Sequence, residues 1–358
     1  MLLVATSAAS IVSTLIVPRT AANWVTRRVD QIVNAGYVLM NKPVRDFRQR
    51  DRIESTHAAT LLICQIVAWL GMFFIGFSLI FWPLVTGGIT EAFRTAGPGL
   101  WEIGTDRARG GYQQAILDFA SITGIITITL QIAYLPTLYS AFNRRETEVA
   151  LLNARAGVPS WGPELLARTH YALGSGVSTV DTLPDLYESW ERWAADVAES
   201  HTTYLPLVRF RSPKPLSSWV TALLAVLDSA ALFLALSPEA APVVPARLCL
   251  RGGFRCFNRI ARVMGFDIPE EPGPDAETTL TYAEFLDAVG RMREVGFPIE
   301  RDPAEAWPDF AGWRVNYEQA AYAVAAAVYA VPALWSGPRR RPVSPIPPIR
   351  PGRGHPPK

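Results

Sequence analysis

Residues 58–90, AATLLICQIVAWLGMFFIGFSLIFWPLVTGGIT, carry no charged side chain over 33 positions. A helix needs about 20 apolar residues to cross the hydrocarbon core of a bilayer, so this stretch supplies one crossing and a surplus. The surplus, FWPLVTGGIT, is broken at Pro83, Gly87 and Gly88, residues that interrupt helices. Working outward, two further uncharged runs flank it, residues 1–17 and 119–143. The fold class expected is an all-α membrane protein with three transmembrane helices.

Composition agrees with that class. Of 358 residues, 49% are hydrophobic and only 18% charged, apolar for a soluble chain of this length. Residues 1–17 lack the basic leader of a signal peptide, since Arg19 follows the apolar run, and they read as an uncleaved first span whose start lies upstream of Met1. Orientation follows the basic residues. Arg27, Arg28, Lys42, Arg45, Arg48, Arg50 and Arg52 lie between the first two runs, and Arg144 and Arg145 close the third. The expected layout is a first transmembrane helix over 1–18, a basic cytoplasmic or interfacial connector over 19–57, and two further transmembrane helices within 58–143. A helical cytoplasmic domain follows over 144–335 and a disordered, basic, proline-rich tail over 336–358. The localisation expected is a multi-pass cell membrane protein with its C-terminal domain in the cytoplasm. Within the connector, Val25, Val29, Ile32, Val33, Tyr37 and Met40 share a helical face, which suits a helix in the membrane interface or one packed on a soluble domain.

Two later apolar runs bear on the count. Residues 217–236 approach the length of a span, but Asp228 near the middle costs about 2.5–3.5 kcal/mol on insertion. A buried helix of a soluble domain is the preferred reading. The alanine-rich 319–335 reads as a packed terminal helix.

Between the second and third spans, residues 90–106 form a pore-loop-like segment. Thr90 is placed to cap a short helix, EAFRTA, with Glu91 in its first turn; GPGLWEIGTD follows. Span, short helix, glycine turn, span is the order of a re-entrant loop, and also of an ordinary external loop. On the third span Thr123, Thr127, Gln131, Tyr134 and Thr137 fall on one side at 100° per residue. A polar stripe on such a helix faces either a water-filled pathway or neighbouring helices. Gly124 offers a flexible point and Pro136 a kink.

Three stretches carry a resemblance: STLIVPRTAANWVTRRV, LQIAYLPTLYSAFNRRETEVALLNARAG and ESHTTYLPLVRFRSPKPLSSWVTALLAVLDSAAL. The chain resembles actinobacterial membrane proteins described as two-pore-domain or ion-channel-like potassium channel family members, over most of residues 10–335. The resemblance implies a pore helix before the last span and a filter-like segment at Glu102, Ile103, Gly104 and Thr105; on the channel reading Thr123, Thr127 and Gln131 of the polar stripe lie on the inner-helix ion pathway. It implies monovalent cations and membrane lipid as partners and a homo-tetramer. The chain departs from the family at Glu102, which stands where relatives carry threonine. Four such carboxylates around an axis form an acidic ring, which favours cations without selecting potassium.

The cytoplasmic half reads as helices at 145–156, 163–173, 183–200, 216–236, 246–264, 279–294 and 315–334. Leu186, Trp190, Trp193 and Val197 form a core stripe. Glu199, His201 and Asp228 are the only polar candidates for chemistry there, with Arg209 or Arg211 the expected partner of Asp228. Nucleotide-loop and hydrolase motifs are lacking. No catalytic residue, cofactor, metal site or nucleic-acid partner is expected, and the chain does not read as an enzyme. Two functions stay foremost: a cation channel or channel-like protein with a degenerate selectivity filter and a regulatory cytoplasmic domain, or a non-conducting membrane scaffold or sensor whose cytoplasmic domain binds a partner or small ligand; a third, an enzyme housed in the cytoplasmic helices, would need a convergent polar pocket around His201.

Overall fold

The computed structural model describes residues 1–17, 24–100, 111–169, 179–269, 271–273 and 276–337. The regular structure of those residues is all helix, without a strand. They divide into two compact units, Met1–Ala141 and Phe142–Lys358.

The first unit begins with α1, Leu2–Ile11, continued by a π turn, Val12–Ile16. Then come α2, Trp24–Asn41, α3, Phe47–Glu54, α4, His57–Phe81, and α5, Gly88–Gly99. The long α6, Gly111–Ala156, runs through the boundary of the units. On α4, Gln65, Trp69, Phe73, Phe77 and Phe81 recur every fourth residue and are buried, because that spacing keeps side chains on one helix face. The other face shows Ile63, Val67, Ile75 and Leu79, each more than 40% exposed.

Among the described residues, three helical stretches are long and apolar enough to cross a membrane: Phe47–Leu84, Gly111–Ala156 and Trp219–Leu236. The first covers residues 58–84 of the uncharged run 58–90, stopping within the surplus, and the second contains the run 119–143. The apolar run at the start forms only the shorter helical stretch Leu2–Ile16. Burial separates the third stretch from the others: 94% of its apolar window is enclosed by protein, against 33% for each of the other two.

α1 packs along α4. Trp69 Nε1 donates to Ser10 Oγ at 3.0 Å, and Gly76 lets α1 approach so closely that an added β-carbon would lie 2.8 Å from Val4 Cγ2. Small residues and one polar pair are what hold apolar helices together where hydrophobicity alone does not discriminate.

In the second unit the core is built on α10, Trp219–Leu236, which is buried on nearly every side. Around it stand α7, Gly162–Thr169, α8, Leu183–Thr203, the short α9, Pro206–Arg209, and α11, Val243–Val263, followed by α12, Tyr282–Glu294, α13, Pro303–Arg314, and α14, Glu318–Ala327. The stripe of Leu186, Trp190, Trp193 and Val197 on α8 is buried as the periodicity predicts. Helix α13 was not foreseen, although Asp302 followed by Pro303 is a start signal: the Asp302 carboxylate accepts from the Ala304 backbone at 2.8 Å, and proline occupies the first turn, where its missing N–H costs nothing.

Candidate functional site

Helix α5 starts three residues earlier than its sequence suggests. Gly87 is its N-cap and Thr90 lies inside the helix, so the expected Thr90 cap is not made. The Glu91 carboxylate instead reaches back to the Gly87 backbone N–H, a favourable place for negative charge at a helix start. One face of α5 sits on α4, with Ala92 and Ala96 fully buried and Phe93 against Phe74 at 5.3 Å. Its far end docks on α6. Ser121 Oγ donates to the Gly99 carbonyl, and a β-carbon at Gly124 would lie only 2.3 Å from the Leu100 carbonyl oxygen. Gly124 therefore serves close approach of α5 to α6. The filter-like residues Glu102, Ile103, Gly104 and Thr105 lie outside the described residues.

The polar stripe of α6 turns inward. Thr127 is 1% exposed, Gln131 7% and Tyr134 6%, while Thr123 is half-buried and Thr137 exposed. Thr123 Oγ1 donates to the Phe119 carbonyl and Thr127 Oγ1 to the Thr123 carbonyl, both at 2.7 Å, so the hydroxyls are satisfied within their own helix. Gln131 Oε1 and Gln65 Nε2 are buried without a hydrogen-bond partner, a cost of about 1–3 kcal/mol for each such group. Pro136 stands within α6.

A second polar group in this unit escaped the sequence reading. His57 Nδ1 faces Glu54 Oε2 at 3.1 Å, the ring stacks on Tyr37 with centroids 4.2 Å apart, and Asn41 Nδ2 donates to the other Glu54 oxygen. Tyr37 Oη is 2.8 Å from both Thr56 Oγ1 and Thr60 Oγ1. The group joins α2, α3 and α4, and its signal was legible only as a run of polar residues before the apolar α4.

In the second unit the Glu199–His201 pair is split by its helix. Glu199 is on the outer face, bonded to Arg259 at 2.6 Å. His201 is fully buried, its Nε2 3.0 Å from Arg145 Nη1 and its Nδ1 3.0 Å from Ser200 Oγ. Burial, and after it the Arg145 charge, hold the imidazole well below its ordinary pKa, so it is neutral and accepts from the guanidinium. Arg145 also donates to the Leu207 and Phe210 carbonyls at 2.8 and 2.7 Å. This arrangement ties α6, α8 and α9 together.

Asp228 is paired with Arg314, not with Arg209 or Arg211. Arg314 is fully buried; it donates to Asp228, to Glu318 Oε1 at 3.1 Å, to Tyr322 Oη at 2.9 Å and to the Trp335 carbonyl at 2.7 Å. Tyr317 Oη donates to Asp228 Oδ1 at 2.8 Å. Burial disfavours the guanidinium's charge, yet Asp228, the two tyrosines and Glu318 raise its pKa well above the usual value. Such a knot locks α10, α13 and α14 in register. Arg211 instead donates to the Val328 and Tyr329 carbonyls at 3.0 and 3.1 Å.

One side of the unit carries a groove of about 1190 Å³ between α8, α11 and the end of α13. Arg247, Arg251, Arg255 and Arg259 line it at every fourth position of α11. The Arg247 guanidinium stands 5.7 Å from the Trp313 ring centroid. Asn258, 8% exposed, lies in the wall, and its Oδ1 is buried without a hydrogen-bond partner. Among the described residues no group of three or more histidine, cysteine or carboxylate side chains is placed to hold a metal ion.

Comparison of the chain with protein-family models, with curated proteins and with solved structures finds no match to any of them.

Proposed function

We propose that the protein is a cation channel or channel-like membrane protein, with residues 90–106 as its pore-loop segment and the second unit as a regulatory domain. The observation that carries this reading is the docking of α5. A twelve-residue helix, about 18 Å long at 1.5 Å per residue, is packed against one long apolar helix through Ala92, Ala96 and Phe93 and against the next through Gly99 and Leu100. That is the helix, short helix, helix order from which pore loops are built. On this reading Glu102 lines the narrowest part as an acidic constriction, and copies of the chain assemble around it. Fourfold assembly rests on the sequence resemblance. Cation flux into liposomes holding the purified protein is the test, with potassium, sodium and a large organic cation compared.

A second reading, a non-conducting membrane scaffold or sensor, is favoured by one specific observation. Thr127 and Gln131 face the interior of a single chain's unit, where they pack helices together without needing a pathway shared among copies. Absence of flux from folded, assembled protein would select it.

A further inference from the structure

We propose that the groove along α11 is a binding site for a phosphate-rich anion, with phosphoryl groups taken by Arg251 and Arg255 and a hydrogen-bonding group of the ligand taken by Asn258. The site goes beyond the channel reading and does not depend on it.

The argument starts from spacing. Residues four apart on a helix lie about 6 Å apart along its axis and stay on neighbouring ground, so Arg247, Arg251, Arg255 and Arg259 form a basic ridge along one wall. A ridge on a solvated helix is ordinarily neutralised by carboxylates at the same spacing. Here the two ends of the ridge are occupied, Arg259 by Glu199 at 2.6 Å and Arg247 by the Trp313 ring at 5.7 Å. The middle two arginines are exposed and form no ion pair among the described residues. Glu191 and Glu271 also line the groove, but neither is within ion-pair distance of Arg251 or Arg255. Two planar, multi-donor guanidiniums side by side suit adjacent phosphoryl groups, which accept paired hydrogen bonds.

Asn258 is the independent observation. Its side chain is 8% exposed, lines the groove, and holds an amide oxygen with no partner. Buried amides are nearly always bonded, and an amide can present either its oxygen or its nitrogen on rotation. An occupant with a donor or acceptor beyond its phosphates completes it. Trp313 stands in the lining at the Arg247 end of the groove. The same phosphate chemistry is found on soluble nucleoside polyphosphates and on phosphorylated lipid headgroups.

The test is calorimetric titration of the full chain, in nanodiscs of phosphatidylcholine, with inorganic triphosphate, adenosine triphosphate and the water-soluble headgroup of a phosphatidylinositol bisphosphate. Binding of at least one probe is expected, weakened at least about tenfold by the double change Arg251→Gln/Arg255→Gln. Both arginines are exposed, so folding is not at stake. Arg293→Gln, an exposed arginine outside the groove, is expected to leave affinity unchanged. Tighter binding of adenosine triphosphate than of the headgroup assigns a soluble nucleotide, and the reverse order assigns lipid. No binding of any probe, or equal weakening by Arg293→Gln, would overturn the proposal. Asn258→Leu is expected to weaken the preferred probe more than it weakens inorganic triphosphate; an unchanged ratio refutes its assigned part. None of these readouts requires ion flux, so a silent channel assay leaves them standing.

Discussion

Replacing Arg314 by methionine removes the one cation of the buried knot while keeping a chain of similar length. Asp228, 1% exposed, then keeps only Tyr317 Oη, Glu318 loses its partner at 3.1 Å, and the Trp335 carbonyl loses a donor at 2.7 Å. Removing one member of a buried pair costs about 3–5 kcal/mol, because the remaining charge is stranded. For a unit of this size that corresponds to a fall in Tm of roughly 6–20 °C, at about 2–4 °C per kcal/mol. Arg144→Met is the matched control. Its ion pair with Asp196 has similar geometry, 3.0 Å, but the two side chains are 55% and 39% exposed, and such surface pairs contribute about 0–1 kcal/mol. Cys249 and Cys256, both fully buried in the same unit, provide the assay. In a Cys64→Ser background, their thiol labelling along a temperature or denaturant series reports opening of this unit alone. Arg314→Met should expose both thiols well before the parent does, Arg144→Met should not, and Arg314→Met/Asp228→Leu should recover part of the loss. Equal midpoints for Arg314→Met and Arg144→Met would refute the assignment of the knot as the anchor of this unit.

Three further outcomes are expected. His201 has a folded pKa below its unfolded value, so its contribution to stability is complete above about pH 6.5 and is lost as pH falls below that, by at most about 1.4 kcal/mol per pH unit; His201→Gln should flatten this slope in thiol-labelling midpoints, and an unchanged slope would show that another group sets it. Gly124→Val forces a side chain against the Leu100 carbonyl and should cost about 1–3 kcal/mol, read as faster amide hydrogen exchange in α5; wild-type protection would contradict the docking geometry. Ser10→Ala leaves buried Trp69 Nε1 without its acceptor and should destabilise the first unit by about 1–3 kcal/mol, read as a lower unfolding midpoint, while Ser13→Ala, whose hydroxyl only returns to its own helix, should have a smaller effect.

What could be read from the chain alone was whatever periodicity determines. The apolar stretches of α4 and α6, the tryptophan stripe of α8 and the buried character of α10 follow from local pattern, since residues three and four apart share a face. Asp228 even announced that α10 is not a simple span. Its partner did not, because Arg314 lies 86 residues away and nothing local distinguishes it from Arg209 or Arg211. Glu199 and His201 looked like a pair at two-residue spacing, and the helix turned them to different sides, one to solvent and one to the core. At α5 the obvious cap residue, Thr90, lost to a glycine whose N–H the Glu91 side chain satisfies. The arginines of α11 were visible as basic residues flanking α10; that they line a groove containing an unsatisfied Asn258 depends on α8 and α13 arriving from elsewhere in the chain.

The central claim is best tested by cation flux into liposomes from purified, assembled protein, run beside Glu102→Gln under matched potassium, sodium and large organic cation gradients. The account predicts flux of the small cations, reduced or altered in preference when the carboxylate is neutralised. Absence of flux under every gradient, or flux that Glu102→Gln leaves unchanged, would contradict it.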